Sequence, residues 1–210
     1  SPNSRNEHIQ LYLSDRLPMP NTPDFQNSLL PQILNLTSLS RNIPKPVVIL
    51  INDVPLKAQI GAVLAAEFGS IVQVEKTDLA EDGILICGWE FWHSFVLKNY
   101  ALSSSSSTEL AKPQLLIMTT LPLPSLENPL VASRVAYYKR QRQDWFRLYL
   151  LPTALKAIQQ AIIPLRESQG VVALLDNRVN HRSYGKTVLT ALEPCAKINY
   201  IDPTWFGLRL

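Results

Sequence analysis

The sequence predicts an α/β fold in which helices flank a mostly parallel central sheet. Short runs of branched apolar residues recur along the 210-residue chain, for example at 47–51 and 171–175. Strands that are buried on both faces of a parallel sheet have this composition. Segments with helical periodicity lie between these runs, and strands that alternate with helices form the βαβ units from which parallel sheets are built.

The composition fits one domain of a cytoplasmic protein. With 46% apolar residues the chain can form a substantial core, and its net charge of +3 is too small to identify a partner. The only two cysteines are Cys87, inside an apolar run, and Cys195, which favours free thiols in a reducing compartment. The sequence has neither a signal-peptide pattern nor an apolar stretch of about 20 residues, so we expect no association with membranes.

The chain begins with residues that do not suggest a packed element. Residues 1–24 are polar and rich in proline, and they predict an extended lead-in before a domain that spans 25–210. Asp24 is a candidate cap for a helix that begins at Phe25. An abrupt start of this kind, without methionine, favours a piece of a longer protein.

The remaining elements follow from periodicity and from residues that end helices. The predicted strands are 47–51, 71–74, 84–87, 115–118 and 171–175, with a further edge strand at 198–201. The predicted helices are 56–68, 153–163 and 183–192, together with a long basic helical stretch over 129–149. Gly69 would end the first helix and Pro164 the second, and the basic stretch has a candidate break near Asp144.

Gly185-Lys186-Thr187 follows a strand and a loop, which is the outline of a phosphate-binding P-loop. That motif needs a first glycine five residues earlier, and Asn180 occupies this position. We therefore predict no Walker A site in this chain. The seven glycines also exclude a dinucleotide-binding fingerprint, because no two of them are separated by a single residue. The histidines and cysteines lack the spacing of metal ligands, which predicts no metal site.

Six segments resemble, in order, parts of the second motor domain of DinG/XPD-like helicases. They are Pro18-Met19-Pro20-Asn21-Thr22-Pro23-Asp24-Phe25, the run 47–56 with Asn52-Asp53, Gly88 with Phe91-Trp92, Leu121-Pro122-Leu123-Pro124 with Asn128-Pro129-Leu130-Val131-Ala132, Leu151-Pro152-Thr153-Ala154 with Gln160, and the run 170–192. The resemblance covers about 180 residues. It implies a RecA-like three-layer fold.

The resemblance also implies a motor of two RecA-like lobes. In this family a separate first lobe holds ATP and Mg²⁺, and the second lobe closes on it and moves along single-stranded DNA. An arginine of the second lobe reaches the γ-phosphate and stabilises the transition state. Arg166, which lies close to the position of the second arginine of the family motif, is the candidate catalytic residue. The residues expected at the nucleotide cleft are Gln160, Asp176, Arg178 and Lys186.

Two departures from the family pattern fall on residues that carry its chemistry. In the motif Gln-Gly-x-Gly-Arg-x-x-Arg, Gln160 is kept, but the glycines and the first arginine become Ala161, Ile163 and Pro164. After Phe91-Trp92, the family's Glu-Gly-x-Asp is replaced by His93-Ser94-Phe95-Val96. Because proline has neither a cation nor an N–H donor, we predict weakened or lost ATP hydrolysis, with compensation by Arg166 or Arg178 as the alternative.

A basic, aromatic segment at 134–147 is the candidate DNA contact. Cations that bind phosphates and rings that stack on bases are combined in single-strand binders. The predicted contacts are Arg134, Lys139, Arg140, Arg142 and, from another segment, Trp92. The alternatives are an amphipathic helix that buries its aromatic residues and a core role for Trp92. For Asp176 and Arg178 the alternative is a structural ion pair.

These observations predict the C-terminal motor domain of a DinG/XPD-like DNA helicase. It would bind single-stranded DNA and dock on an ATP-holding lobe. The main alternative is a non-catalytic scaffold that keeps the helicase fold and recruits a protein partner through its aromatic patches. An unrelated small-molecule enzyme is a third hypothesis, which no catalytic constellation supports.

Overall fold

The computed structural model describes residues 8–101 and 110–201. Within these ranges the fold is α/β, with one sheet of seven strands that are all parallel and lie in the order β3-β4-β2-β5-β6-β1-β7. This confirms the predicted fold class. The strands are β1 (Ile9–Leu13), β2 (Val47–Leu50), β3 (Val72–Val74), β4 (Ile84–Cys87), β5 (Leu115–Met118), β6 (Val171–Leu174) and β7 (Cys195–Ile198).

Helices connect the strands and cover both faces of the sheet. They are α1 (Asp24–Ser40), α2 (Val54–Phe68), α3 (Trp89–Val96), α4 (Pro129–Arg140), α5 (Leu151–Ala161), α6 (Ile163–Ser168), α7 (Arg178–His181) and α8 (Gly185–Ala191). A π-helical segment, Leu97–Ala101, continues α3, and another, Phe146–Leu150, leads into α5. A 3₁₀ turn at Gly69–Ile71 follows α2.

Alternate residues of the central strands enter two separate cores. In β2, Val47 and Ile49 pack with α1 and α2, whereas Val48 and Leu50 pack with α3, α5, α6 and α8. This follows from the period of two along a strand. Because both faces are covered, the four central strands β2, β4, β5 and β6 are fully buried, which explains why they appear as continuous apolar runs in the sequence.

The segment predicted as a lead-in contributes a strand to the sheet. β1 pairs with β6 on one side and with β7 on the other, so it is an interior strand. Ile9 and Leu11 enter one core, and Tyr12 packs against the other. This corrects the expected domain start at residue 25. The strand was missed because Ile9–Leu13 is short and includes the polar Gln10.

Other differences concern element ends. Asp24 lies in the first turn of α1 and does not cap it, since Pro23 is the capping residue and no side chain bonds there. The last strand is β7, ending at Ile198, whereas the sequence placed it at 198–201. The predicted breaks are confirmed: Gly69 ends α2 with φ +75°, and Pro164 lies in the first turn of a new helix, α6.

Candidate functional site

The carboxyl edge of the sheet carries two adjoining grooves. The first, about 870 Å³, lies between residues 20–26, the end of β2, the segment after β5 and Arg178. The second, about 710 Å³, lies between Trp89, His93, Ser125 and Gln160. The chain after β2 enters α2 on one face, and the chain after β4 enters α3 on the other. A crevice opens where neighbouring connections diverge in this way, and open α/β folds bind ligands there.

Asp176 is the buried carboxylate that holds Arg178, a residue of the first groove. It follows β6 and is fully buried. One carboxylate oxygen, Oδ2, accepts a hydrogen bond from the backbone N–H of Leu121 at 2.8 Å and another from Arg178 Nη2 at 2.6 Å. The other, Oδ1, accepts from Arg178 Nε at 2.9 Å. The pair is therefore bidentate and joins the segments after β5 and β6.

Arg178 is held as a cation by this pairing. Burial alone would lower the pKa of its guanidinium, but the hydrogen bonds and negative charge of Asp176 raise the pKa above its ordinary value. The side chain keeps about a fifth of its surface exposed and lines the first groove. The structural ion pair considered as an alternative is thus present, and the cation it fixes faces the groove.

The same turn is fastened to the segment after β1. Asn177 Nδ2 donates to the carbonyl of Leu17 at 2.9 Å, and Asn180 Nδ2 donates to Asn177 Oδ1 at 2.8 Å. Asn177 is buried. The polar side chains next to Asp176 therefore tie the turn that carries Arg178 to the segment after β1, which the sequence alone did not indicate.

The polar pair after β2 also organises helices. Asp53 Oδ1 accepts from the N–H of Leu56 at 2.9 Å and caps α2. Asn52 Oδ1 accepts from the N–H of Trp89 at 3.0 Å, at the start of α3. These bonds hold the starts of α2 and α3 in place. Asn52 lines both grooves, so it lies at their boundary.

The residues predicted for the nucleotide cleft do not all meet. Gln160 is half-buried and lines the second groove, beside the groove that contains Arg178. Lys186 is exposed on α8 and lines neither groove. The structure therefore groups Gln160, Asp176 and Arg178 at the carboxyl edge and leaves Lys186 outside.

Arg166 lies at the opposite edge of the sheet. It belongs to α6, which precedes β6, and its guanidinium donates to the carbonyls of Leu192, Glu193 and Pro194 at 2.9–3.0 Å. These carbonyls end α8 and precede β7. The predicted catalytic role is corrected, because Arg166 is engaged at the amino ends of the strands, away from Asp176.

Gly185 is required by packing. A Cβ atom at this position would lie 2.0 Å from the carbonyl oxygen of Val179, in the turn that carries α7. Since α8 begins at Gly185, the glycine lets α8 start directly against α7. The glycine of Gly185-Lys186-Thr187 is therefore explained by helix packing, without a bound phosphate.

Trp92 is a core residue, which corrects its prediction as a DNA contact. Its side chain is fully buried, its Nε1 donates to the carbonyl of Ala161 at 3.0 Å, and its ring stacks on Phe95 with centroids 5.3 Å apart. Trp92 thus attaches α3 to α5. The buried alternative was correct because the helical period turns Trp92 and Phe95 toward the sheet.

The second groove brings residues at the start of α3 together with residues of α5. Trp89 is buried, and its Nε1 has no hydrogen-bond partner among the described residues. Thr153 and Lys156 come from α5, on the opposite wall from Trp89 and His93. No motif spacing links residues 89–93 with 153–160, so only the tertiary fold could bring them together.

The basic stretch forms a separate surface. It divides into α4 and the π-helical segment that leads into α5, with Arg142 at φ +54° and Asp144 Oδ1 accepting from the N–H of Arg147. This confirms the predicted break. Only Val135 of α4 is buried. The predicted DNA contacts of this segment are all exposed: Arg134, Lys139, Arg140 and Arg142.

Aromatic rings hold two of these cations. The guanidinium of Arg134 lies 5.2 Å from the ring centroid of Tyr149, and Nζ of Lys139 lies 5.6 Å from that of Trp145. Both distances are within the range of cation–π contacts. We call this region, residues 134–149, the α4 surface.

Cys87 is buried, and burial raises the pKa of its thiol; Cys195 is partly exposed, and both are free. In the part of the chain that the structure describes, no group of three or more His, Cys, Asp or Glu side chains is arranged as a metal site. None of the described helices is long and apolar enough to cross a membrane.

The chain is similar to helicases in sequence and in fold. The family model of the helicase C-terminal domain matches residues 109–195. The chain is 27% identical over 121 residues to the ATP-dependent DNA helicase YoaA of Escherichia coli, covering 56% of this chain and 17% of the relative. YoaA of Haemophilus influenzae is 26% identical over 139 residues, covering 65% of this chain and 20% of the relative. The match thus spans no more than a fifth of either relative.

Solved structures of XPD share the fold. Xpd4 of S. tokodaii superposes with a TM-score of 0.54 at 15% identity and covers 92% of this chain and 39% of that one. An apo structure of XPD superposes with a TM-score of 0.57 at 13% identity and covers 92% of this chain and 40% of that one. These matches agree with the motif order in the sequence and with the parallel sheet. The chain thus resembles the C-terminal helicase domain of DinG/XPD-like helicases, most directly over residues 109–195.

Proposed function

We propose that this domain is the second motor lobe of an ATP-dependent DNA helicase, that it binds single-stranded DNA through the α4 surface, and that its coupling to ATP hydrolysis is weakened or lost. The observation that carries the DNA-binding part is the pair of exposed cations held over aromatic rings, Arg134 on Tyr149 and Lys139 on Trp145. A separate lobe would hold ATP and Mg²⁺.

The electrostatics of the α4 surface support a polyanionic ligand. Its only acid, Asp144, pairs with Arg147 at 3.7 Å. The other four cations, Arg134, Lys139, Arg140 and Arg142, make no ion pair within the described ranges. Nucleic-acid binders use such unpaired cations to replace the counterions of the phosphate backbone.

The arginine motif supports the loss of coupling. Ala161 of α5 stands at the position of the first glycine, and Pro164 of α6 at that of the first arginine. Both residues are buried. Arg166, the nearest arginine, is bound to carbonyls at the other edge of the sheet. These two features support a lobe whose arginine motif does not supply the transition-state cation.

DNA binding is tested by fluorescence anisotropy with a labelled single-stranded oligonucleotide. We expect micromolar affinity that falls steeply with salt, and a loss of at least about tenfold when Arg134, Lys139 and Arg140 are all changed to Glu. The matched control changes Lys45, Lys98 and Lys197 to Glu. These lysines are also exposed but lie on other parts of the domain. Equal losses in both variants would contradict a specific role of the α4 surface.

The loss of coupling is tested in a protein that contains this domain together with its ATP-holding lobe. We expect ATP turnover that single-stranded DNA changes less than about twofold, since DNA-stimulated hydrolysis depends on a lobe that supplies the transition-state cation. Brisk DNA-stimulated turnover that disappears in Arg178→Ala would show that a residue at the carboxyl edge compensates for the missing motif.

A protein-recruiting scaffold is the second candidate. Three leucines near α4 are unusually exposed for apolar side chains: Leu126, Leu130 and Leu148. Leu130 alone exposes 82% of its surface. Exposed apolar residues next to cations also suit a protein interface. No oligonucleotide binding at low salt would favour this candidate over the motor lobe.

A further inference from the structure

The three tyrosines of the α4 surface have different environments. Tyr138 and Tyr149 stack with their centroids 6.0 Å apart and their planes at 15°. Tyr149 is also in contact with the guanidinium of Arg134, so it lies between that cation and Tyr138. Both rings are half-buried. They therefore form the support of the surface and do not offer a free face for a ligand.

Tyr137 is different because its ring faces solvent. It packs against Tyr138 in an edge-to-face arrangement, with centroids 5.8 Å apart at 78°. About half of its surface, 53%, is exposed. The edge contact fixes the orientation of a ring that would otherwise rotate, so little entropy remains to be lost when a planar group stacks on it.

Arg134 is the ring-held cation on the same side of α4 as Tyr137, because it precedes Tyr137 by three residues of the helix. Lys139 follows Tyr137 by two residues and therefore lies on the opposite side of the helix. A guanidinium that lies on an aromatic ring keeps its N–H edge available for phosphate oxygens. The contacts with Tyr149 and Trp145 thus hold both cations in place before DNA arrives.

We infer that Tyr137 is a base-stacking site, and that Arg134, positioned by Tyr149, binds a phosphate next to the stacked base. This inference rests on the proposed DNA-binding function and specifies its ligand as a single strand with accessible bases. Every base has a π-face, so the site would tolerate any sequence. A duplex, whose bases are already stacked, would bind only through its phosphates.

The test compares two ligands of equal length and charge: a single-stranded oligonucleotide and an abasic deoxyribose-phosphate oligomer. With the full chain, Tyr137→Ala should weaken binding of the oligonucleotide about 5-fold or more and change binding of the abasic oligomer less than 2-fold. Tyr137→Phe should retain both affinities because the ring remains. Tyr200→Ala, at an exposed tyrosine after β7, is the matched control and should change neither.

The positioning role has its own readout. Tyr149→Leu removes the ring under Arg134 and leaves the net charge unchanged, so binding of both oligomers should weaken about 2- to 5-fold. Tyr149→Phe keeps the ring and should retain most of the affinity for both oligomers. An equal effect of Tyr137→Ala on both oligomers, or no effect on either, would overturn the stacking site while the salt-dependent binding remained. Absence of any salt-dependent binding by the unmodified chain would instead reject the proposed function, and the inference with it.

Discussion

At the scale of single residues, Asp176 shows how a carboxylate at a ligand-binding edge can serve the structure first. It satisfies the buried N–H of Leu121 and fixes the guanidinium of Arg178. Sequence position suggested both a cleft role and an ion pair. The structure contains the ion pair, through which Arg178 lies at the first groove, while the role at a nucleotide cleft stays a prediction.

We expect Asp176→Asn to lower the free energy of unfolding by about 3 kcal/mol, because it leaves Arg178 largely buried without its counter-charge. The control is Asp144→Asn, at an ion pair whose members are both more than half exposed. There the loss should stay below about 0.5 kcal/mol. Urea unfolding followed by tryptophan fluorescence measures both, and similar losses would contradict a structural role for Asp176.

Gly185 gives a second prediction at this scale. A methyl group at Gly185 would meet the Val179 carbonyl, so Gly185→Ala should destabilise the domain by about 1–3 kcal/mol through displacement of α8 from α7. Thr187→Ala, at an exposed residue of the same helix, should change stability by less than about 0.5 kcal/mol. Thermal unfolding of both variants tests this, and an unchanged melting temperature for Gly185→Ala would disprove the packing explanation.

At the scale of elements, the ends of helices and strands are fastened by side chains from distant parts of the chain. Arg166 binds the carbonyls of the turn between α8 and β7. Lys57 of α2 pairs with Glu75, just after β3, at 2.6 Å, and Glu75 also accepts from the N–H of Gly88. Such directional contacts fix the positions of helix and strand ends relative to one another, which non-directional apolar packing does not do.

Arg166→Ala should destabilise the domain by about 1–3 kcal/mol, because three carbonyl groups lose a charged donor. It should leave binding to single-stranded DNA unchanged, since the residue lies away from the α4 surface and from both grooves. Lys186→Ala, on the exposed side of α8, is the control for loss of a nearby cation. A variant of normal stability with impaired DNA-stimulated ATP turnover would return Arg166 to a catalytic role.

The Lys57–Glu75 contact predicts a pH dependence. The hydrogen bond from Lys57 lowers the pKa of Glu75 below its ordinary value, against a smaller opposing effect of burial. A lowered pKa adds stability above the unfolded-state value of about 4.3, and this stability is lost as the pH falls through the folded-state pKa. The sign is therefore a stabilisation at neutral pH that disappears in acid.

Glu75→Gln should accordingly lower the free energy of unfolding at pH 7 by less than about 1 kcal/mol, since Glu75 is more than a third exposed and screened by solvent. The difference from the unmodified chain should shrink as the pH falls below the unfolded-state pKa of about 4.3. Glu67→Gln, at an exposed residue of α2, should show no such trend. Urea titrations at several pH values test the sign, and a difference that grows in acid would contradict it.

At the scale of the whole molecule, the sheet depends on the strand farthest from its neighbours in sequence. β1 lies between β6 and β7, more than 150 residues later in the chain. The turn after β6 also donates to carbonyls that follow β1. The segment before residue 25 is therefore part of the folding unit as far as the described residues show.

A chain that begins at residue 17 lacks β1 and should lose cooperative unfolding. Without β1, one edge of β6 and one edge of β7 lose their partner strand, and both cores open. A chain that begins at His8 keeps β1 and is the control, for which we expect a sharp transition close to that of the unmodified chain. Differential scanning calorimetry distinguishes the two. A sharp, unshifted transition for the shorter chain would mean that β1 is dispensable.

The sequence by itself determined the class of fold, the central strands and the resemblance to helicases, because fully buried strands must be apolar throughout and the family motifs keep their order along the chain. Only the tertiary structure decided the positions of Arg166, Trp92 and β1. Their roles depend on partners that are tens of residues away or more, such as the carbonyls after α8, the end of α5 and strand β6. Local periodicity carries no information about such partners, since hydrogen bonds and side-chain burial between distant segments exist only after the chain has folded.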